Sequence, residues 1–224
     1  MENFTKCACV IDTCSIINLD DIQLARQDVL SYIRRFFDVR VGGPLRDEFN
    51  RHRGQVSSRE ASYWPRFLSS RRYVPSVLTD DQSVIGPFYT SPPVFDGVRN
   101  AGEYANARVA LELLLTKQIG HTLFITDDQN AQNAFLDRIQ GAFPGIRLWT
   151  SADVIIYLGA VLLKESKLGF DDVKSALRDV YAATGRIRPR AEITQAEKES
   201  IIRKLAVSVD RLKLVLKVTE HWRN

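Results

Sequence analysis

Short apolar runs along the chain alternate with longer segments in which apolar residues recur every three to four positions. The runs are too short for helices and predict buried strands at 7–11, 39–41, 122–126 and 146–149. The longer segments predict helices at 20–37, 44–54, 103–115, 129–140 and 154–163. Because strand and helix alternate, we predict an α/β fold whose parallel strands are joined by helical crossovers.

The carboxyl-terminal part of the chain is predicted to be helical. One helix is expected at 171–184, and a last one follows Thr194, where Thr194 and Glu197 have the spacing of a capping box. Ile201, Leu205, Val209, Leu212 and Leu216 then lie on one helical face. We expect a core at 1–150 and a helical extension at 151–224 that packs on the core or on a partner chain.

Positive charge is concentrated in one stretch of the chain. The net charge is only +4, but arginines far outnumber acids between 34 and 72, and Tyr63, Trp64 and Phe67 lie among them. Basic and aromatic side chains together suit a nucleic acid, although a solvated basic helix with inward aromatics explains the pattern equally well. The segment 55–99 has no clear period beyond one helix near 57–69. The candidate nucleic-acid contacts are Arg46, Arg51, Arg53, Arg59, Arg66, Arg71 and Arg72.

The expected location is the cytoplasm, without membrane attachment. No apolar run is long enough for a membrane span, and the first residues do not resemble a signal peptide. Three cysteines, Cys7, Cys9 and Cys14, suit no closed disulfide framework, and a zinc site would need a fourth ligand that their spacing does not supply.

Four acids are predicted to meet at one edge of the sheet. Asp12 and Asp127 directly follow predicted strands, whereas Glu48 and Glu103 lie in the opening turns of predicted helices. Ligands of parallel α/β sheets bind at the carboxyl ends of the strands. Clustered carboxylates repel one another, and Mg²⁺ or Mn²⁺ would relieve that repulsion. Each acid also has a purely structural interpretation, as a helix cap, a turn residue or a solvated helix residue.

Four ordered motifs resemble those of the PIN-domain ribonucleases, a family that includes the VapC-type toxins. They are Val10-Ile-Asp-Thr13, Pro44-Leu-Arg-Asp-Glu48, Gly102-Glu-Tyr-Ala-Asn-Ala107 and Ile125-Thr-Asp-Asp128. The resemblance covers roughly 7–150. It implies a three-layer Rossmann-like sandwich with a parallel sheet of four or five strands, followed here by carboxyl-terminal helices.

The resemblance also implies an activity. It implies an endoribonuclease that cleaves single-stranded RNA by metal-activated water, with Mg²⁺ or Mn²⁺ bound by Asp12, Glu48, Glu103 and Asp127 as catalytic acids. Thr13, Ser15 and Asp128 would support these acids. A toxin with a cognate antitoxin protein, or a related defence nuclease, is the expected role, and a homo-oligomer is the expected state.

Some features depart from the family pattern. Cys14 stands where Ser or Asn is common, which leaves the hydrogen bonding to Asp12 open, with Ser15 as a candidate substitute. Asp96 competes with Glu103 for the third acidic position. Two alternatives therefore remain open. One is a structure-directed DNA nuclease on the same scaffold, and the other is a non-catalytic PIN-like module for nucleic-acid binding or assembly.

Overall fold

A computed structural model describes residues 7–20, 22–40, 121–129, 132, 145–183 and 194–220. Between 101 and 120 it describes residues 106, 109, 110, 113 and 114, all of which are helical, as expected for 103–115. The predicted helices at 44–54 and near 57–69, and most of the one at 129–140, lie outside the described residues.

The described part of the chain is an α/β structure with a parallel sheet of four strands. Its strands are β1 (Ala8–Ile11), β4 (Asp38–Arg40), β5 (Thr122–Ile125) and β6 (Ile146–Trp149), in the spatial order β4-β1-β5-β6. Every neighbouring pair is parallel. The four predicted strands and their parallel arrangement are thus confirmed, and the arrangement is compatible with a Rossmann-like sandwich.

The two central strands are the most deeply buried. All four residues of β1 and all four of β5 are buried, as is usual for the central strands of a parallel sheet. In β6 the pattern changes to one buried residue followed by exposed and half-buried ones. Continuous apolar runs were therefore a reliable sign of the central strands.

The helix predicted at 20–37 is confirmed only in its second half, where α2 (Val29–Phe36) lies. Its first half is instead a small antiparallel hairpin of β2 (Gln23–Leu24) and β3 (Gln27–Asp28). Helix α1 (Thr13–Leu19), which the sequence did not predict, precedes the hairpin. Ala25 and Arg26 at the hairpin turn have φ angles of 49° and 64°. Two consecutive left-handed residues make a tight turn that an α-helix cannot contain.

Three further helices follow the sheet, as the sequence predicts. They are α3 (Ser151–Lys164), α4 (Phe170–Ala183) and α5 (Gln195–Glu220). Thr150 and Asp153 form a capping box before α3, and Thr194 and Glu197 bond in the same way before α5. The helix starts predicted at these two threonines are confirmed.

Helices α3, α4 and α5 pack on one another. Gly159 in α3 lies so close to α4 that a Cβ atom there would be 2.6 Å from Cγ1 of Val173. The hydroxyls of Tyr181 and Ser208 join α4 to α5 at 2.5 Å, and Arg211 of α5 pairs with Asp153 of α3 at 2.6 Å. These contacts make the three helices one packed group.

The chain divides into two compact units. The first contains Met1–Ile17 and Ile33–Trp149, and the second contains Asn18–Tyr32 and Thr150–Asn224. The sheet belongs to the first unit, whereas the hairpin and α3 to α5 belong to the second. None of the described helices is long and apolar enough to span a membrane.

Candidate functional site

The candidate site lies where β1 and β5 end side by side. Ile11 and Ile125 are register partners, so the residues that follow them, Asp12 and Thr126, also lie side by side. The Asp12 amide still donates to the Ile125 carbonyl at 2.9 Å. Among the described strands the connections leave β1 and β5 toward opposite edges of the sheet. Such a switch point is the position where parallel α/β sheets bind ligands.

Asp12 is a buried carboxylate held by three hydrogen-bond donors. The residue is only 2% exposed to solvent. Oδ1 accepts from the Thr13 amide at 2.8 Å, while Oδ2 accepts from the Cys14 thiol at 2.8 Å and from the Thr126 hydroxyl at 3.2 Å. Three donors orient this carboxylate and offset part of the cost of burying it.

Asp12 also has a structural role at the start of α1. Its carbonyl accepts from the Ile16 amide at 3.0 Å, and its carboxylate accepts from the Thr13 amide. The carbonyl bond is the one made by the residue that stands before a helix, whereas a capping side chain bonds to the second or third helical amide and not to the first. Asp12 therefore occupies the capping position of α1, and a functional role would be additional to it.

Thr126, which is not among the site residues predicted from the sequence, links the two strand ends. Its hydroxyl donates to Asp12 and accepts from the Asp128 amide at 3.1 Å, and its carbonyl accepts from the Gln132 side chain at 2.8 Å. Thr126 is fully buried. Its position in the sequence could have identified it, because Thr126 follows a buried strand, as Asp12 does. The ends of two paired parallel strands lie side by side, so Thr126 stands beside Asp12.

Cys14 takes part in the site through its thiol. Burial raises the pKa of this thiol strongly, and the charge and hydrogen bond of Asp12 and the charge of Asp127 raise it further. Cys14 therefore stays protonated and serves as a donor to Asp12. The hydrogen bond to Asp12 that a cysteine at this position left open is thus made, with the thiol in the place of a hydroxyl or amide donor.

The second acid, Asp127, is tied to α1. Its Oδ2 atom accepts from the Ser15 hydroxyl at 3.1 Å. Ser15 was expected to support Asp12, whereas this bond is made to the neighbouring acid. Thr13 supports Asp12 through its backbone amide, and Asp128 contributes its amide to Thr126. The three residues predicted to support the acids all lie at this end of the sheet.

Asn106 is a further polar residue beside the strand end. It is fully buried, and its amide nitrogen donates to the Ile11 carbonyl at 3.4 Å. Its Oδ1 atom accepts no hydrogen bond in the part of the chain that the structure describes. A buried acceptor without a partner is costly, so this oxygen is suited to a bound water or cation.

Several predicted site residues lie outside the described residues, so the structure leaves their placement open. They include the two glutamates, the competing Asp96 and all the candidate nucleic-acid contacts. These residues are Glu48, Glu103, Asp96, Arg46, Arg51, Arg53, Arg59, Arg66, Arg71 and Arg72.

The oxygen atoms of three described residues are of the kinds that a hard cation binds. Asp12 and Asp127 supply carboxylate oxygens and Asn106 supplies an amide oxygen, which are the ligand types that Mg²⁺ and Mn²⁺ prefer. No group of three or more His, Cys, Asp or Glu residues close enough to hold a metal occurs within the described ranges. Glu48 and Glu103, the other two acids of the predicted set, lie outside those ranges.

Replacing Thr126 by valine tests the link between the strands. Valine keeps the shape but removes a hydroxyl that serves Asp12 and the Asp128 amide. We expect Thr126→Val to lower the free energy of unfolding by about 1–2 kcal/mol, because the buried Asp12 carboxylate and the partly buried Asp128 amide lose a partner. Denaturant unfolding measures this change. Thr126→Ser keeps the hydroxyl and should stay close to the parent, so an equal loss in both variants would contradict the assigned role.

Comparison with protein-family models, with curated proteins and with solved structures returned no match.

Proposed function

We propose that the chain is a metal-dependent endonuclease that cleaves single-stranded RNA. The proposal is carried by one observation: Asp12 is buried, oriented by three donors and located at the switch point of a parallel sheet. A helix cap needs no such burial, since caps are commonly exposed to water. Burying a carboxylate among directed donors is a costly arrangement that suits a binding site for a cation.

The divalent cation would be Mg²⁺ or Mn²⁺. Asp12 and Asp127 would hold it together with Glu48 and Glu103, for which the sequence motifs are the support. Asn106, whose Oδ1 lacks a partner among the described residues, lies three residues after Glu103 in the same motif and contacts the end of β1. The cation would supply an activated water and stabilise the leaving oxygen of a phosphodiester.

Other residues of the chain would orient the metal ligands and bind the substrate. Thr126 and Cys14 hold the carboxylate of Asp12 in one orientation, and Ser15 holds that of Asp127. A fixed ligand set places the substrate without reorganisation during the reaction. Arginines between 46 and 72 would bind the phosphates of the strand.

RNA is proposed as the substrate because of the resemblance to PIN-domain ribonucleases. Within that group a toxin that is inhibited by a small antitoxin protein is the proposed role, with a related defence nuclease as the variant. The alternative of a structure-directed DNA nuclease differs in its substrate, so a cleavage experiment can distinguish it from a ribonuclease.

The test is cleavage of end-labelled substrates by the full chain. RNA and DNA oligonucleotides of one base sequence, and a DNA flap and a DNA junction that contain the same sequence, are incubated with Mn²⁺, beside a reaction that contains EDTA. The proposal expects internal cuts in the RNA that EDTA abolishes. Preferential cutting of DNA flaps or junctions would replace RNA by structured DNA, and cleavage that survives EDTA would reject the metal-dependent mechanism.

A second function, a non-catalytic binding module, is favoured by the position of Asp12 at the start of α1. The bond from the Thr13 amide to its carboxylate gives this side chain a structural role without any metal. A module of this kind would bind RNA but leave it intact. RNA binding without cleavage, together with an absence of any effect of Mn²⁺ on stability, would decide for it.

A further inference from the structure

Asn106 is the polar member of a buried helical stripe. Val109, Ala110 and Leu113 follow it at intervals of three, four and seven residues, so the four side chains share one face of their helix. All four residues are buried, and Asn106 is 0% exposed. An apolar side chain would fill such a position without the cost of burying an amide. The asparagine therefore needs a role of its own at this end of the stripe.

The end of β1 accounts for only one half of the Asn106 amide. Its nitrogen donates to the carbonyl of Ile11, the last residue of β1, at 3.4 Å. The described pairing of β1 with β4 stops one residue earlier, at Val10 and Arg40, so the amide supplies a donor just beyond that pairing. With the amide turned over, two carbonyl oxygens would face each other. The nitrogen is thus committed to the strand, and Oδ1 is turned away from the Ile11 carbonyl.

The Oδ1 atom of Asn106 is left without a donor. It is buried and accepts no hydrogen bond from any residue that the structure describes. Asp12 directly follows Ile11, and Asp127 lies on the neighbouring strand end, so two carboxylates belong to the same edge of the sheet. A water molecule has only two protons to donate, whereas a divalent cation binds about six oxygens at once. A cation therefore suits this oxygen better than an enclosed water does.

We propose that Oδ1 of Asn106 is a ligand of the divalent cation, beside the carboxylates of Asp12 and Asp127. The inference rests on the proposed metal-dependent function, and it adds a ligand to the four predicted acids. Because an amide oxygen is uncharged, it does not add to the repulsion between the carboxylates in the metal-free protein. An aspartate would add that charge and would set another acceptor against the Ile11 carbonyl, so asparagine suits both contacts.

The first test compares the Mn²⁺ affinity of the full chain with that of its Asn106→Leu variant. Leucine keeps the branched shape of the side chain but has neither amide atom. The Kd is obtained from the rise of the melting temperature over a series of Mn²⁺ concentrations. We expect Asn106→Leu to raise the Kd at least about tenfold, because groups that hold or orient a metal contribute about ten- to a hundredfold to its affinity. Melting without metal checks that the fold is retained.

Thr122→Val is the matched control. Thr122 is also fully buried, and its hydroxyl likewise has no hydrogen-bond partner among the described residues. It pairs with Ala8 at the amino end of β5, at the opposite end of the strands from the candidate site. The substitution removes a buried oxygen without altering the site, so the Kd for Mn²⁺ should equal that of the wild type.

The second test distinguishes a metal ligand from an amide that only supports the fold. Asn106→Cys replaces a hard oxygen by a soft sulfur, and soft ligands favour soft cations such as Cd²⁺. In reducing buffer, the ratio of Cd²⁺ affinity to Mn²⁺ affinity should rise at least about tenfold relative to Asn106→Ala. The alanine variant lacks the new sulfur. Cys14 is present in both variants, so its own affinity for Cd²⁺ cancels.

The outcomes separate this proposal from the proposed function. A Mn²⁺ Kd that is unchanged in Asn106→Leu and Asn106→Ala would overturn the proposal and leave the nuclease intact, and the alanine variant suffices if the leucine variant does not fold. Equal metal preference of Asn106→Cys and Asn106→Ala would overturn a direct bond from Oδ1 to the cation. A wild type that neither gains stability from Mn²⁺ nor cleaves RNA would reject the proposed function, and this proposal with it.

Discussion

Asp12→Asn is expected to lower the rate of Mn²⁺-dependent RNA cleavage by more than about a hundredfold. The substitution removes one negative charge from the ligand set, and a hundredfold loss corresponds to about 2.7 kcal/mol of transition-state stabilisation. The rate is measured with labelled RNA at saturating Mn²⁺. The EDTA reaction of the wild type gives the background.

The fold should tolerate this substitution. An asparagine keeps one oxygen for the Thr13 amide, and its nitrogen can donate to Cys14 or Thr126, whose thiol and hydroxyl can rotate to accept. We therefore expect a change of no more than about 1–2 kcal/mol in the free energy of unfolding. A folded but inactive variant separates the chemical role of Asp12 from its structural role at the start of α1.

Asp38→Asn is the matched control. Asp38 begins β4 in the same sheet and pairs with Arg40 at 2.7 Å. Its register partner is Ala8, so it lies at the amino end of the strands, away from the candidate site. Its cleavage rate should equal that of the wild type. Full activity of Asp12→Asn would show that the cleavage comes from a contaminant or from another site.

Mn²⁺ is expected to raise the stability of the wild type by about 2.7 kcal/mol at a concentration one hundred times its Kd. A ligand that binds only the folded state stabilises it by this linkage, and binding also removes the repulsion between the clustered carboxylates. For a chain of this size the melting temperature should rise by roughly 5–10 °C. Thermal unfolding over a series of Mn²⁺ concentrations measures the effect, and it requires no substrate.

The variants make this measurement specific to the candidate site. Asp12→Asn should lose most of the Mn²⁺ effect, whereas Asp38→Asn should keep it. An equal rise in Asp12→Asn would place the bound metal elsewhere on the chain. A wild type that gains nothing from Mn²⁺ and cleaves no RNA would support the non-catalytic module instead.

Local signals in the sequence predicted the starts of α3 and α5 correctly. Thr150 with Asp153, and Thr194 with Glu197, form their capping boxes within three residues of chain. Such bonds depend on local geometry alone, so the sequence pattern is enough to identify them. The same holds for the central strands, because a short and wholly apolar run is stable only when it is buried.

The hairpin before α2 shows why the spacing of apolar residues gave a wrong prediction for the first half of 20–37. Ile22 and Val29 have a spacing that fits a helix, and both are buried, as a helical stripe would require. They are instead joined across a hairpin, in which the Val29 amide donates to the Ile22 carbonyl at 2.9 Å. Apolar spacing reports only which side chains are buried, and the backbone between them is decided by the tight turn at Ala25 and Arg26.

The candidate site likewise has features that the sequence determined and features that only the tertiary structure decided. By itself the sequence determined that an acid follows each of two buried strands, and hence that Asp12 and Asp127 reach one edge of a parallel sheet. Only the tertiary structure decided which groups hold them: Thr126 bonds to Asp12 across 114 residues of chain, and Ser15 bonds to Asp127 across 112. A hydrogen bond between distant residues depends on strand order and register, which no local pattern contains.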